Sequence, residues 1–183
     1  MKKISAPLTA ETIKVLKVGE AVLLSGTIYT ARDQAHKRLV GALEKGRKLS
    51  LDLKNQVIYY CGPTETRPGK SIGAAGPTTS GRMDEFTPAL LKQGLKGMIG
   101  KGSRSKEVIA AIKKYKAVYF LTFAGCGALL SQYIKRVRRI AYKDLGPEAI
   151  LKLEVKDFPL IVGIDSKGGN IYAKTRRSHA TVY

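Results

Sequence analysis

The chain is poor in the side chains that build metal centres and covalent staples. Among 183 residues there are two cysteines, Cys61 and Cys126, and two histidines, His36 and His179. Two cysteines make no disulfide framework and supply too few ligands for a zinc or iron–sulfur site, so no self-contained metal site is expected. Long apolar runs are missing as well: none approaches the roughly 20 residues needed to span a membrane. Met1-Lys2-Lys3-Ile4-Ser5 is basic, but no apolar h-region follows it, which argues for a cytoplasmic chain without a signal peptide. Internal repeats and low-complexity linkers are also absent, so residues 1–183 read as a single domain able to bury an ordinary core.

Negative charge is scarce too. Fourteen acidic residues face 33 lysines and arginines, leaving a formal charge of +19. Such an excess serves nucleic acid, steers small anions or matches an acidic partner surface. Nucleic-acid binders cluster cations with exposed aromatics for stacking. Here the cations run along the whole chain, and most Tyr and Phe lie inside apolar runs. The dense groups are Lys135-Arg136-Val137-Arg138-Arg139 and Lys174-Thr175-Arg176-Arg177. A basic nucleic-acid-binding module is therefore the less favoured reading; a steep dependence of binding on salt would mark it.

What is present is an alternation of strand and helix patterns. Thr9 is placed to cap a short amphipathic turn or helix carrying Ile13 and Leu16, closed by Gly19. Residues 21–30 read as a strand bent at Gly26. At Thr30-Ala31-Arg32-Asp33 the spacing turns helical, with Ala35, Leu39, Ala42 and Leu43 on one face and Gly46 as the stop. Val57-Ile58-Tyr59-Tyr60-Cys61 is a buried strand. Pro88 opens a helix ended by Gly94. Residues 97–99 are a short strand, Ser105 caps a helix to about Lys114, and residues 117–122 are another strand. A helix is expected from Gly127 to about Ile134. Beyond it, strands are predicted over 138–142, 150–155, 160–165 and 170–172. An alternating body with a β-rich end predicts an α/β protein of layered β/β/α type rather than a plain doubly wound sheet.

The densest motif region lies between Val57 and Lys101. It holds Gly62-Pro63, Arg67-Pro68-Gly69-Lys70, the block Gly76-Pro77-Thr78-Thr79-Ser80-Gly81-Arg82-Met83-Asp84, and Met98-Ile99-Gly100-Lys101-Gly102. Glycine lets backbone approach a ligand, hydroxyls donate, and Arg82 can grip a carboxylate with two parallel bonds. Residue by residue, plainer readings stay open. Arg32 can be a helix-start cation with Asp33 as cap or orienting partner, Arg82 can pair with Asp84, and Lys101 and Lys70 can be solvated.

Three stretches carry a family resemblance when taken in order: Leu24 to Asp33 with Ala35-His36-Lys37; Tyr60-Cys61-Gly62-Pro63-Thr64 through Asp84; and Met98 to Gly102 with Gly125-Cys126-Gly127-Ala128. The chain resembles the β subunit, or C-terminal domain, of class I iron–sulfur fumarases and the related L(+)-tartrate dehydratases. The resemblance implies a swivelling, three-layered β/β/α domain. It implies a partner α subunit holding a 4Fe–4S cluster, an (αβ)2 assembly, and reversible hydration of fumarate to malate or the tartrate reaction. It assigns Arg32, Arg82 and Lys101 to substrate carboxylates, with Thr79 as a further donor. Thr78 is the implied base, and Asp33 is the second residue grouped with the chemistry. Cys61 and Cys126 are then structural.

Overall fold

The computed structural model describes residues 1–173. The basic group 174–177 and His179 lie outside the described residues. Seven strands form one mixed sheet in the order β1-β2-β3-β4-β5-β7-β6. They are β1 (Lys2–Ala6), β2 (Ala21–Thr30), β3 (Val57–Tyr59), β4 (Gly97–Gly100), β5 (Val118–Leu121), β6 (Ile134–Ala141) and β7 (Ile150–Ile164). β1 to β5 run parallel to their neighbours, while β7 is antiparallel to β5, β6 and β2. The β2–β7 pairing, from Ala21↔Ile161 to Tyr29↔Lys152, closes the sheet into a small barrel of β2, β3, β4, β5 and β7.

Helices α1 (Ala10–Val15), α2 (Asp33–Glu44), α3 (Thr87–Lys92), α4 (Lys106–Tyr115) and α5 (Gly127–Ser131) fill the connections. The two expected caps form: Thr9 Oγ1 accepts from Thr12 N at 3.2 Å and Ser105 Oγ accepts from Val108 N at 3.2 Å. Alternate residues of the central strands go to opposite cores. Val57, Tyr59, Ile99, Val118 and Phe120 join one cluster. Ile58, Tyr60, Met98 and Tyr119 join the other, with Ala35 and Leu39 of α2, Leu90 of α3 and Ile112 of α4. Period-two side-chain alternation on strands buried on both faces produces this division. Each fully buried large apolar side chain contributes about 1.5–3 kcal/mol.

Several boundaries differ from the pattern-based expectation; β3 ends at Tyr59 rather than Cys61, and β6 begins at Ile134 rather than 138. The two strands predicted over 150–155 and 160–165 are one strand, β7, which passes the turn-like Asp157 at φ 52°. Pairing to β2 spans that irregularity, while on the other side β6 pairs up to Val155 and β5 from Ile161 on. The helix expected to reach Ile134 stops at Ser131, and Ile134 already pairs with Val155. The strand expected over 170–172 shrinks to a single bridge between Asn170 and Ile164. β1, an unpredicted edge strand, forms because β2 offers it a partner. No helix among the described residues is long and apolar enough to cross a membrane.

Candidate active site

Because β2 to β5 are parallel, their carboxyl ends share one edge of the sheet, where α/β folds place ligands. The predicted residues all leave the sheet there. Arg32 and Asp33 follow β2, Thr78, Thr79 and Arg82 lie in the connection after β3, and Lys101 follows β4.

Asp33, the first residue of α2, gathers the arginines. Its Oδ1 lies 2.8 Å from Arg82 Nε, and its Oδ2 lies 3.7 Å from Arg32 Nε. Arg32 Nη2 is also 3.8 Å from Glu148 Oε1. Thr30 brings Glu148 to this place: its Oγ1 donates to the Ala149 carbonyl at 3.3 Å and accepts from Leu151 N at 3.0 Å. Arg82 is 51% exposed, whereas Asp33 is 20% exposed. The Asp33 contact engages Arg82 through Nε, so the two terminal nitrogens of the guanidinium remain oriented as a fork. Arg32 Nε and Asp33 Oδ2 are buried and make no hydrogen bond; they face each other only as the longer, 3.7 Å ion pair. The Arg82–Asp84 pairing that the sequence left open does not form; Asp84 has another partner.

Two backbone features seat this cluster. A Cβ on Gly62 would stand 2.8 Å from Arg32 Nη1, so the guanidinium lies directly on that glycine. His36, fully buried one turn into α2, has Nδ1 2.9 Å from the Arg32 carbonyl oxygen and packs edge-on against Tyr60. Nδ1 therefore carries the proton and donates, while Nε2 has no partner. Burial pulls the His36 pKa down to about 4.

The connection after β3 is anchored residue by residue. Thr78 N donates to the Tyr60 carbonyl at 2.7 Å, and Thr79 forms a parallel bridge with Lys101. Ser80 N donates to the Lys101 carbonyl at 2.9 Å, and Lys101 N donates to Ser80 Oγ at 3.1 Å. Thr78, Thr79, Arg82 and Lys101 are thereby carried on two chain segments stitched together. Gly76 rests on Gly127: a Cβ on Gly127 would stand 2.9 Å from Gly76 N.

Arg104 is the residue that sequence reasoning missed. Its side chain is 0% exposed, and its Nε lies 2.6 Å from Asp84 Oδ1. It precedes the helix cap Ser105, where a cation opposes the helix dipole. That placement was the available signal that a counter-ion must stand nearby. Glu148 and Tyr119 were missed as well, because nothing local in the sequence marks them.

Cys61 is buried, and burial pushes its thiol up to about 12, which makes it inert. Cys126 sits apart in the turn before α5. Among the described residues no group of three His, Cys, Asp or Glu is placed to hold a metal ion. An iron–sulfur cluster does not fit the residues of this chain. Lys70 lines a separate cavity of about 630 Å3 with Arg67 and Lys135, which none of the Asp33 cluster residues borders.

Comparison with known proteins adds identity to this geometry. The sequence model of the family described as "Fumarase C-terminus" matches residues 2–175. A Methanocaldococcus jannaschii protein provisionally named an L(+)-tartrate dehydratase β subunit is 40% identical over 176 residues, covering 93% of this chain and 90% of that protein. The L(+)-tartrate dehydratase β subunit of Escherichia coli is 34% identical, covering 98% of this chain and 91% of that one. The aerobic class I fumarate hydratase of Salmonella typhimurium is 40% identical over 163 residues, which is 88% of this chain but 28% of that protein.

Proposed function

The chain belongs to the fumarase C-terminus family, and from that premise we propose that it is the β subunit of a class I hydro-lyase, interconverting fumarate and L-malate. The observation that carries the reading is the convergence of Arg32 and Arg82 on Asp33 at the sheet edge where Lys101 also emerges. A planar dicarboxylate needs cations at both ends, and this edge supplies three.

In this reading Arg82 grips one carboxylate with its terminal nitrogens, while Arg32 and Lys101 take the other. Asp33 holds Arg82 at Nε and, with Glu148, keeps Arg32 beside it, so both cations are in place before substrate arrives. Thr79, exposed beside Lys101, donates a further hydrogen bond. Thr78 is the base: its deprotonated oxygen takes a proton from the carbon next to the one that loses hydroxide, leaving fumarate, hydroxide and the Thr78 hydroxyl, and return of that proton to the hydroxide gives water and restores the base. The reverse sequence hydrates fumarate. A threonine alkoxide is costly at neutral pH, and nearby cations in a site shielded from water lower that cost.

The catalytic unit in this reading is larger than the chain. The iron–sulfur cluster belongs to an α subunit, against which this chain swivels as one three-layered β/β/α body in a cytoplasmic (αβ)2 enzyme. The chain purified alone then binds no iron and turns over no substrate; anaerobic mixing with the α subunit restores turnover. In that enzyme Thr78→Ala lowers kcat about 10²–10⁴-fold with KM little changed. A Thr78→Ala enzyme that still exchanges deuterium into the substrate carbon at the wild-type rate removes Thr78 from the base role. L(+)-tartrate is the second reading, favoured by one observation: the β-subunit relatives that this chain covers to 90% and 91% carry that name. Comparing kcat/KM for malate and L(+)-tartrate in the assembled enzyme decides between them.

A further inference from the structure

We propose that a buried polar knot beneath the site, made by Tyr119, Ser80, Arg104 and Asp84, positions Lys101 and Arg82 for a dicarboxylate; it rests on the hydratase reading above. These four are positioning residues and do not touch substrate.

Tyr119 stands on β5, fully buried, with its hydroxyl oxygen 2.8 Å from both Ser80 Oγ and the Gly102 carbonyl oxygen. Those two atoms flank Lys101. Ser80 Oγ also accepts from Lys101 N at 3.1 Å, and Ser80 N donates to the Lys101 carbonyl at 2.9 Å. The Lys101 backbone is therefore gripped at its amide, at its carbonyl and at the next carbonyl along. The fit is close: a Cβ on Gly100 would stand 2.0 Å from Ser80 Oγ. Only the ammonium stem of Lys101 is left to move.

Arg82 is bracketed in the same way. The short 3-10 turn Ser80–Met83 carries it, with Ser80 at one end and Asp84 just past the other. Asp84 Oδ1 takes Arg104 Nε and its Oδ2 takes Ser105 N, each at 2.6 Å. Arg104 Nη2 donates to Thr87 Oγ1 at 2.8 Å, and the guanidinium lies over the Tyr119 and Tyr60 rings at 5.0 and 5.3 Å. The knot thus joins the segments bearing the two substrate cations through one set of buried atoms. Burying a charged pair and a phenol hydroxyl here is a poor way to gain stability, since well-packed apolar groups serve as well or better. Its geometric consequence is a fixed spacing between two cations.

The experiment is a double-mutant cycle in the assembled enzyme, with Tyr119→Phe and Lys101→Met alone and combined. Tyr119→Phe removes one oxygen from a ring whose packing stays. We expect kcat/KM to fall about tenfold in the wild-type background and less than about twofold once Lys101 is Met. Equal losses in both backgrounds, or a loss under about twofold in the first, overturn the proposal. A second measurement does not depend on activity. Hydrogen exchange in the assembled protein is expected to speed up at the Lys101 and Ser80 amides in Tyr119→Phe, and to stay unchanged in β1 and α1. Uniform acceleration, or none, also overturns it. A wild-type assembly with neither malate nor tartrate turnover sinks the hydratase reading instead, and leaves hydrogen exchange to decide the knot.

Discussion

Asp84 and Asp33 both hold arginines, and they do so in opposite ways. Asp84 meets Arg104 at 2.6 Å, caps Ser105 N with its other oxygen, and leaves the guanidinium fully buried. Asp33 meets Arg82 at 2.8 Å but Arg32 only at 3.7 Å, and its Oδ2 ends without a hydrogen bond. One pair is closed and saturated; the other is open, under-satisfied and half exposed at Arg82. A satisfied pair has nothing left to offer a ligand, whereas the under-satisfied cluster has lone pairs and N–H groups still owed partners. The pattern of incomplete satisfaction, rather than the presence of charge, separates the site from its scaffold.

The contrast can be broken from the scaffold side first. Arg104→Met leaves the Asp84 carboxylate, only 14% exposed, without its cation and is expected to lower unfolding stability by about 3–5 kcal/mol, read from urea titration. Asp33→Asn in the open cluster is expected to cost no more than about 1 kcal/mol on the same assay. A comparable loss from both removes the distinction. On the site side, Arg82→Lys keeps the charge and loses the planar fork. It is expected to lower kcat/KM about 10²-fold, near 3 kcal/mol of transition-state binding, with the melting temperature unchanged. An effect under about threefold makes Arg82 a structural partner of Asp33.

His36 links the two regions, and its effect is smaller and depends on pH. It faces the Arg32 carbonyl, Tyr60 and Phe86, with Arg104 and Asp33 as the nearby charges. Burial holds its pKa at about 4 against 6.5, so the folded state keeps it neutral while the unfolded chain takes a proton near pH 6.5. Stability is therefore fully present above about pH 6.5 and is lost as pH falls toward 4. The loss is about 2 kcal/mol between pH 6.5 and 5. His36→Leu flattens that slope in urea titrations at the two pH values; an unchanged slope assigns it to other groups. The smallest effect belongs to Arg136 on β6, 81% exposed and 3.7 Å from Glu154. Arg136→Ala is expected to leave the melting temperature and turnover unresolved from wild type, slowing only subunit association at low salt.

Much of this was legible before any coordinates. The caps at Thr9 and Ser105, the bend at Gly26 and the buried strand that starts at Val57, though it ends at Tyr59 rather than Cys61, are local signals written in residue type and spacing. So was the family resemblance, through motifs in a fixed order. β7 reads as two strands because the segment around Asp157 and Pro159 looks like a break, and only its pairing to β2 carries the strand through.

For the site, the sequence alone determined which residue types would be offered: Arg32 and Asp33 at a helix start, Thr78, Thr79 and Arg82 in one glycine-rich connection, and Lys101 after a short strand. Arg32, Asp33 and Lys101 sit just past strand ends, but Thr78, Thr79 and Arg82 come well after β3 ends at Tyr59, so chain order did not imply a shared edge. What the tertiary structure decided was the pairing. Asp33 takes Arg82 from a different connection, Asp84 takes Arg104 instead of its near neighbour Arg82, and Glu148 arrives from before β7. Carboxylate–guanidinium contacts are short-ranged and blind to distance along the chain. Which cation meets which anion is therefore settled by where the closed barrel puts the strand ends, and no local pattern contains that information.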